Sequence, residues 1–428
     1  MRLHRFLIGQ IEVLLGDVLK FSSAADVATS RFFHAHPKLG QTERSIATEA
    51  VFSVLRRKIE YEYLAESGSG TLTRRLALLG LMQTAGLKEL RPYVFQEEYA
   101  WLDLVSKVDP ESLPAHVRTN FPSWIEAALG VRLTTIDAGP DAVAQELAWL
   151  AAALNHPAPL DLRVNPIRAH RDAVLAVLAQ VGVQAEPTPY APLGIRIAGK
   201  PAIRTMTAFK QGWFEIQDEG SQLLCQLTGP CRGEMVVDFC AGAGGKTLAL
   251  GAMMHSTGRL YAFDVSDKRL GKLKIRLSRS GLSNVHPVLI DSEFDIKIKR
   301  LFGKIDRVLV DVPCTGLGTL RRNPDLKWRQ TPQSVDKLAV KQASILSAAA
   351  RLLKPGGRLV YATCSLLSNE NEEIIEQFIA THPMFECVSA HRVLADKKIA
   401  LDTGKYLILW PHRHGTDGFF AVAMQRVA

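Results

Sequence analysis

The sequence lacks the features that mark membrane, secreted and metal-binding proteins. No stretch approaches the roughly 18 consecutive apolar residues of a membrane span. The apolar N-terminal segment is interrupted by Gln10, Glu12 and Asp17, and no small-residue cleavage site follows it. The six cysteines form no CxxC pair and lack the dense spacing of a disulfide framework. We therefore expect a cytoplasmic protein with reduced thiols, no membrane association and no metal.

Internal repeats and low-complexity tracts are also absent, and the composition is that of a globular enzyme. Hydrophobic residues make up 47% and charged residues 22% of the 428 positions, which is far from the composition of disordered chains. A chain of this length exceeds what one hydrophobic core usually organises, so several domains are expected. The formal net charge of +9 permits a polyanionic partner without requiring one.

Changes in hydrophobic periodicity divide the chain into three predicted domains. Residues 1–135 have helical periodicity, including an apolar stripe through Ile46, Ala50 and Val54, and predict an all-helical domain. Residues 140–215 mix two helical segments with short extended ones, which predicts a small α+β domain. The remainder, residues 216–428, forms the third predicted domain.

The third domain has the pattern of an α/β protein. Apolar strands alternate with amphipathic helices from residue 216 onward, which predicts a mostly parallel, Rossmann-like sheet with helices on both faces. Two late apolar segments, residues 405–411 and 419–425, have no long helix between them. We predict that these two segments pair antiparallel at the edge of the sheet.

A glycine-rich turn follows the first strand of the α/β domain and precedes a helix. The turn contains Gly242, Gly244 and Gly245, and such turns allow backbone amides to approach a ligand closely. A phosphate-binding P-loop is excluded because Cys240 stands where that motif requires glycine. Thr247 leaves only a weak match to the dinucleotide fingerprint.

Acidic residues end the next two strands of this domain, at Asp264 and Asp291. The first lies at the position where a carboxylate commonly binds ribose hydroxyls. Acids at successive strand ends suit a nucleoside without a phosphate, such as S-adenosylmethionine, better than an anionic dinucleotide. Because acids often begin loops for structural reasons alone, the ordered set carries this interpretation rather than either residue by itself.

Two of the six cysteines stand at the ends of apolar strands. Cys314 follows Asp311 and Pro313, and Cys364 follows Thr363. The carboxyl ends of strands in an open parallel sheet form the ligand crevice, so both thiols are expected to converge on the cofactor. A free cysteine is usually a small buried hydrophobe, and this stays the interpretation of the other four.

Four segments carry a resemblance to a known family: "DFCAGAGGKT", "DVPCTGLGTLRRNPDLKW", "YATCSLLSNENE" and "GTDGFFAVAM". Together they resemble the S-adenosylmethionine-dependent RNA cytosine-C5 methyltransferases of the bacterial small-subunit rRNA type, the RsmB or Sun family. The N-terminal domain is similar to the NusB-like RNA-binding domain of that family, and "LDLRVNP" is similar to the start of its small RNA-binding domain. The resemblance implies a seven-stranded, mostly parallel sheet and 16S rRNA as the partner. We expect a monomer.

The resemblance also implies roles for individual residues. Cys364 becomes the nucleophile that adds to cytosine C6, Cys314 assists product release, and Asp311 hydrogen-bonds the base. The implied cofactor-binding residues are Cys240, Ala241, Gly242, Ala243, Gly244, Gly245, Lys246, Asp264, Asp291 and Asp311. Family members usually have proline where this chain has Ala243, which predicts an altered affinity for the cofactor rather than lost binding.

The implied RNA contacts are largely electrostatic, with single-stranded or flipped bases as the substrate. Candidate contacts are Arg56, Arg57, Lys58, Arg163, Arg168 and, around Trp328, Arg321, Arg322, Lys327 and Arg329. The basic segment at residues 266–281 is interpreted instead as a solvated surface helix. A helix expected to begin near Asn369 is a hypothetical activator of the thiol at position 364.

Two alternative functions stay open from the sequence. The first keeps the reaction and changes the substrate to tRNA. The second is an RNA-binding ribosome assembly factor that retains the site residues without turnover.

Overall fold

The computed structural model describes residues 3–134 and 139–427. The chain divides into two compact units, of which the first contains Met1–Pro157 and Thr319–Pro332 and the second contains Ala158–Gly318 and Gln333–Ala428. The predicted domain limits at residues 1, 135 and 428 lie outside the described residues. None of the described helices is both long and apolar enough to cross a membrane.

The first unit is helical, as predicted for the N-terminal region. Its helices are α1 (Arg5–Val18), α2 (Ala25–Ala35), α3 (Gln41–Arg56), α4 (Lys58–Ala65), α5 (Leu72–Ala85), α6 (Leu87–Leu90), α7 (Gln96–Val105), α8 (Ala115–Thr119), α9 (Ser123–Thr134), α10 (Pro140–Asn155) and α17 (Leu326–Arg329). The predicted stripe on α3 is buried, and α3 and α5 approach closely at Gly80, where a Cβ would lie 2.6 Å from the carbonyl oxygen of Ala50. Its likeness to a NusB-like domain stays a prediction.

Two segments of the helical unit lie outside the predicted N-terminal domain. Helix α10, predicted as part of the small α+β domain, contacts α8 and α9. Helix α17 comes from the motif that follows Cys314 in the sequence, and Trp328 on this helix donates a 2.8 Å hydrogen bond from Nε1 to the carbonyl of Leu55. Non-local contacts of this kind carry no local sequence pattern.

Burial of several basic residues corrects part of the predicted RNA-contact set. Lys327 is 1% exposed, Arg163 is 4% exposed, and Arg56 and Arg321 are each 9% exposed. These four side chains are therefore unavailable at the surface. The prediction was wrong for them because a basic cluster is usually solvated, and only tertiary packing shows which cations are enclosed.

The second unit begins with a small antiparallel sheet in the order β2-β3-β1-β4. Its elements are β1 (Leu160–Val164), α11 (Arg171–Gln180), β2 (Ala185–Pro187), β3 (Gly194–Ile197), α12 (Thr207–Lys210) and β4 (Phe214–Ile216). One core contains buried residues from both layers, among them Leu162, Val174 and Phe214. The extended and helical segments predicted between residues 158 and 216 thus form one α+β layer.

A larger mixed sheet fills the rest of the second unit. Its strands are β5 (Met235–Asp238), β6 (Arg259–Asp264), β7 (Val285–Leu289), β8 (Ile305–Asp311), β9 (Leu353–Thr363), β10 (Phe385–Val388), β11 (Leu407–Leu409) and β12 (Phe419–Arg426). Its helices are α13 (Glu219–Thr228), α14 (Gly245–Met253), α15 (Asp267–Ser280), α16 (Ile296–Lys299), α18 (Pro332–Ala350), α19 (Glu372–Thr381), α20 (Ala390–Ala395) and α21 (Pro411–His414).

The order of this sheet is β10-β12-β9-β8-β5-β6-β7, with β11 also paired to β12. Strands β5 to β9 pair in parallel, whereas β12 is antiparallel to β9, β10 and β11. Successive residues of β8, Val308 and Leu309, point into different buried cores, so both faces of the sheet are covered. This is the predicted Rossmann-like arrangement.

The described part of the sheet has eight strands, whereas seven were predicted. The late segments pair antiparallel as expected, but β12 is internal because β9 lies on one side of it and β10 and β11 on the other. Strands β10 and β11 span only four and three residues, respectively. Segments this short show little periodicity, so the sequence gives no reliable strand count here.

Candidate active site

The carboxyl ends of the parallel strands open on a cavity of about 480 Å³ in the second unit. The structure brings ten of the twelve predicted site residues together around it. They are Cys240, Ala241, Gly242, Ala243, Gly245, Lys246, Asp264, Asp311, Cys314 and Cys364. Residues from three of the four family segments, together with Asp264, therefore line one cavity.

The other two predicted residues, Gly244 and Asp291, are not among those that line the cavity. Gly244 has φ +84°, and a Cβ there would lie 2.1 Å from Cδ1 of Leu273, so this glycine permits close packing of α15 beside the turn. Asp291 is exposed, and its neighbours Ile290 and Glu293 line the cavity instead.

The glycine turn is held from both sides by side chains. The amide of Gly242 donates a 2.8 Å hydrogen bond to Oδ2 of Asp264. On the other side, Nη1 of Arg276 donates a 2.8 Å bond to the carbonyl of Ala243, and the same guanidinium pairs with Glu215 at 3.0 Å. These bonds hold the turn at Ala243, the position where family members usually have proline.

Two residues of this wall were missed from the sequence. Arg276 belongs to the basic helix interpreted as solvated, and only three-dimensional packing shows that it faces the turn. Asp238 is the last residue of β5, so its position at a strand end could have identified it in the same way as Asp264. It is 1% exposed, Thr247 donates a 2.6 Å bond to its Oδ2, and its Oδ1 has no hydrogen-bond partner among the described residues.

Burial has a strong effect on the Asp238 carboxyl. Removal from water, with a smaller contribution from Asp311 and opposed by the Thr247 hydrogen bond, raises the pKa of Asp238 to about 7. The cavity wall therefore contains a carboxyl group that changes its charge near neutral pH and has one buried oxygen without a hydrogen-bond partner among the described residues.

Lys246 and Asp311 form an ion pair inside the cavity, with 2.6 Å between Nζ and Oδ2. Burial lowers the pKa of Lys246, but the adjacent Asp311 carboxylate outweighs it, so the pKa lies above the ordinary lysine value. The ammonium also lies 5.7 Å from the centre of the Phe419 ring. The charged pair is thus fixed beside an aromatic face.

The two predicted thiols are neighbours, with 3.2 Å between the Sγ atoms of Cys314 and Cys364. The hydrogen bond to Cys364, together with burial, raises the pKa of Cys314 well above the ordinary thiol value. Cys314 therefore keeps its proton at neutral pH. Helix α19 begins at Glu372, after a 3-10 turn at Ser368–Glu370, and its role in activating the thiol stays a hypothesis.

The remaining cysteines do not join this pair. Burial raises the pKa of Cys225 to about 12, as expected for a thiol that is part of the core. Over residues 3–134 and 139–427, no group of three or more His, Cys, Asp or Glu side chains is arranged to hold a metal ion.

An open mixed sheet, with acids, a glycine turn and a cavity at the carboxyl ends of its parallel strands, defines a Rossmann-like methyltransferase domain. The chain belongs to the 16S rRNA methyltransferase RsmB/F family, whose model matches residues 225–425. A second model, the ferredoxin-like domain of RsmF/B-like methyltransferases, matches residues 139–204. The match of the second model includes α10, which packs with the helical unit.

Relatives and solved structures agree with this family. The probable ribosomal RNA small subunit methyltransferase B of Synechocystis is 32% identical over 447 residues, covering 97% of this chain and 98% of the relative. The Bacillus subtilis protein described in the same words is 35% identical over 273 residues, covering 63% and 60%. The crystal structure of PH0851 has a TM-score of 0.78 at 26% identity and covers 99% of both chains. A methyltransferase homologue from Pyrococcus horikoshii has a TM-score of 0.61 at 28% identity, covering 75% of this chain and 100% of the other.

These findings confirm the predicted family and its cofactor. The chain is an S-adenosylmethionine-dependent rRNA methyltransferase with a helical N-terminal region and a C-terminal Rossmann-like domain.

Proposed function

We propose that the protein methylates C5 of a cytidine in 16S rRNA through a covalent bond between Cys364 and C6 of the base. The observation that carries this proposal is the thiol pair, 3.2 Å apart, in a cavity that also contains the Lys246–Asp311 ion pair. Cytosine C5 is too poor a nucleophile to take a methyl group without prior addition at C6. Two thiols close together suit a reaction at two neighbouring ring atoms.

The cavity wall fits the methyl donor. S-adenosylmethionine supplies the methyl group, and its sulfonium carries a positive charge. Asp264 supplies a carboxylate for the ribose hydroxyls, Asp238 adds a buried carboxyl to the wall, and the Gly242 position has open space where a side chain would otherwise stand. We propose that these residues, with Cys240, Ala241, Ala243, Gly244, Gly245 and Lys246 of the turn, bind the donor. Asp291 is exposed and does not line the cavity. Its neighbours Ile290 and Glu293 line the cavity and are better placed to contact the adenine of the donor.

The residues of this chain then act on the base. The thiolate of Cys364 forms a bond to C6, and the electron pair of the C5–C6 double bond becomes available at C5, while N3 takes up a proton and donates a hydrogen bond to the Asp311 carboxylate. After C5 has accepted the methyl group, the C5 proton passes to a water molecule, its electron pair restores the C5–C6 double bond, and the C6–sulfur bond breaks to release the Cys364 thiolate. Cys314 assists this release, because it lies against the departing sulfur and carries a transferable proton.

The division of roles between the two thiols follows the family resemblance. The thiolate is the nucleophilic form of cysteine. We assign Cys364 as the nucleophile and Cys314, whose Sγ lies 3.2 Å from that of Cys364 in the same cavity, as the thiol that assists release.

We further propose that the helical unit and the small antiparallel sheet contact the RNA and that the protein acts in the cytoplasm as a monomer. The net charge of +9 supports a polyanionic partner. We keep the predicted limits of 1–135, 140–215 and 216–428 as the functional domains. Helix α10 is related to both of the first two domains, because it packs against α8 and α9 of the helical unit and is also matched by the model of the ferredoxin-like domain.

The test is tritium transfer from labelled S-adenosylmethionine to 16S rRNA, to small-subunit particles and to tRNA. We expect Cys364→Ala to abolish transfer, and Cys314→Ala to accumulate a protein–RNA adduct that survives denaturing electrophoresis, because addition continues while release is slowed. Cys231→Ala, at an exposed cysteine outside the cavity, is the matched control and should behave as wild type.

Normal turnover by Cys364→Ala would refute the covalent assignment. Transfer only to tRNA would replace the substrate, and absence of transfer to every RNA would favour a non-catalytic assembly factor. Bisulfite sequencing of RNA from a deletion strain would identify the modified cytidine.

A further inference from the structure

Two adjacent buried residues, Glu370 and Asn371, lie behind the two cysteine loops. Each is 0% exposed, and neither lines the cavity. They occupy the turn between β9 and α19, in the acid-rich segment that follows Cys364 in the sequence. Buried polar groups of this kind need partners, so the identity of those partners indicates what the pair does.

The carboxylate of Glu370 binds the loop of Cys314. Thr315, which directly follows Cys314, donates to it twice, from its amide at 2.9 Å and from its hydroxyl at 2.5 Å. Gln342 donates from Nε2 to the same carboxylate at 2.9 Å and to the carbonyl of Pro313 at 3.0 Å. The residues on both sides of Cys314 are therefore tied to one buried carboxylate.

The amide of Asn371 binds the loop of Cys364 in the same manner. The hydroxyl of Thr363 donates a 2.6 Å bond to Oδ1 of Asn371, and Nδ2 of Asn371 donates a 3.1 Å bond to the carbonyl of Ser365. Thr363 and Ser365 directly flank Cys364. The loop of each cysteine is thus held through the residues before and after it. Glu370 holds the loop of Cys314, and Asn371 holds the loop of Cys364.

The two halves are also joined to each other. The hydroxyls of Thr315 and Ser365 lie 3.2 Å apart, and the hydroxyl of Tyr361 on β9 donates a 2.6 Å bond to the carbonyl of Glu370. Because Glu370 and Asn371 are consecutive, a shift of one loop relative to the other would strain or break these bonds. Small displacements of reacting groups are costly in rate, so such a restraint matters for catalysis.

We propose that Glu370 and Asn371 are positioning residues that set the separation of the two thiols, with Glu370 holding Cys314 and Asn371 holding Cys364. This inference rests on the proposed function for its effect on the reaction, since the roles of release and attack belong to the two cysteines. The geometric part, the spacing of the sulfurs, is independent of any RNA.

The first experiment measures the spacing without RNA or methyl donor. Dibromobimane becomes fluorescent when it bridges two nearby thiols, and peptide mapping identifies the bridged pair as Cys314 and Cys364. We expect Glu370→Gln and Asn371→Ala to slow bridging by about tenfold. The matched control is Glu376→Gln, which neutralises an exposed carboxylate on α19 and should bridge at the wild-type rate.

The second experiment separates the two halves during reaction with 16S rRNA. Glu370→Gln should raise the ratio of trapped protein–RNA adduct to methylated product by about tenfold, because it displaces the release thiol. Asn371→Ala should slow adduct formation by about tenfold without accumulation, because it displaces the attacking thiol. If a substitution only destabilised the protein, the amounts of adduct and of methylated product would decrease together and their ratio would stay unchanged.

If either variant fails to fold, Thr315→Val and Thr363→Val replace it, since each removes one hydroxyl donor and keeps the side-chain shape. Wild-type bridging rates and an unchanged ratio in the folded variants would overturn the inference while leaving the proposed function intact. Absence of any adduct in the wild type and in Cys314→Ala would instead remove the proposed function, and the bridging assay would still decide the positioning role.

Discussion

Two lysines, one in each compact unit, show how strongly the surroundings change the properties of the same side chain. Lys246 is 13% exposed in the cavity and pairs with the carboxylate of Asp311 at 2.6 Å. Lys327 is 1% exposed inside the helical unit, where its ammonium has three oxygen acceptors. They are the carbonyls of Arg56 at 2.6 Å and Asn120 at 2.8 Å and Oδ1 of Asn155 at 2.7 Å.

The two environments have opposite effects on the amine. Burial, with a smaller contribution from Arg56, lowers the pKa of Lys327 well below the ordinary lysine value. At Lys246 burial acts in the same direction, but Asp311 outweighs it and raises the pKa. Each ammonium also lies near an aromatic ring, Phe419 for Lys246 and Trp328 for Lys327, so the ring does not explain the difference. A carboxylate partner keeps the first amine charged, whereas the second amine has only neutral acceptors and cross-links segments of the helical unit.

The largest effect that would sharpen this contrast is expected at Lys246. Replacement by Met should lower methyl transfer at least about hundredfold, because Asp311 loses the group that fixes it. The free energy of unfolding should change by only about 1 kcal/mol, since both side chains keep some contact with solvent. Transfer assays and urea titrations measure the two quantities. Nearly normal transfer by Lys246→Met would mean that Lys246, like Lys327, has only a structural role.

An effect of opposite kind is expected at Lys327. Lys327→Met should reduce the free energy of unfolding by about 3 kcal/mol, because three buried acceptors lose their donor. Transfer per folded molecule should change less than about threefold. Lys107→Met, at an exposed lysine of the helical unit that forms an ion pair with Asp103, is the matched control and should leave both quantities unchanged. Unchanged stability would mean that the cost of burying the amine equals the gain from its hydrogen bonds.

The smallest effect is a difference in pH dependence. Because folding lowers the pKa of Lys327, the unfolded chain binds more protons than the folded one between that lowered value and the ordinary lysine value of 10.5. Stability should therefore rise with pH in this window, by at most about 1.4 kcal/mol per pH unit, and be lost as pH falls. Urea titrations from about pH 7 to about pH 10 should show a steeper rise in wild type than in Lys327→Met. Equal slopes would contradict the assigned environment.

Much of the cavity could be predicted because strand order converts sequence position into spatial proximity. Asp264, Asp311 and Cys364 follow strands that pair in parallel or share the same edge, so their convergence needs only the α/β pattern. Asp291 departs from this expectation because the chain turns after β7 and presents Ile290 and Glu293 instead. Arg276 was missed because a helix with many cations gives no sign of which one faces inward.

The helical unit was predictable as a class but not in its contents. Its amphipathic periodicity indicated helices, yet nothing local indicated that residues 319–332, from the middle of the α/β sequence, complete it. The motif "NPDLKW" looked like an RNA-binding cluster, and its lysine is instead enclosed. Burial of a polar side chain depends on partners distant in the chain, such as Asn120 and Asn155, which no window of sequence contains.

The amino-acid order by itself determined the alternation of strands and helices, the glycine turn, and the two strand-end cysteines that indicate the chemistry, because each is a local pattern with a direct physical meaning. Only the tertiary structure decided that the two sulfurs lie in contact, that Glu370 and Asn371 hold their loops, and that one lysine pairs with a carboxylate in the cavity while the other is buried among neutral acceptors. Those properties depend on distance and on exclusion of water, and both arise only when remote segments pack together.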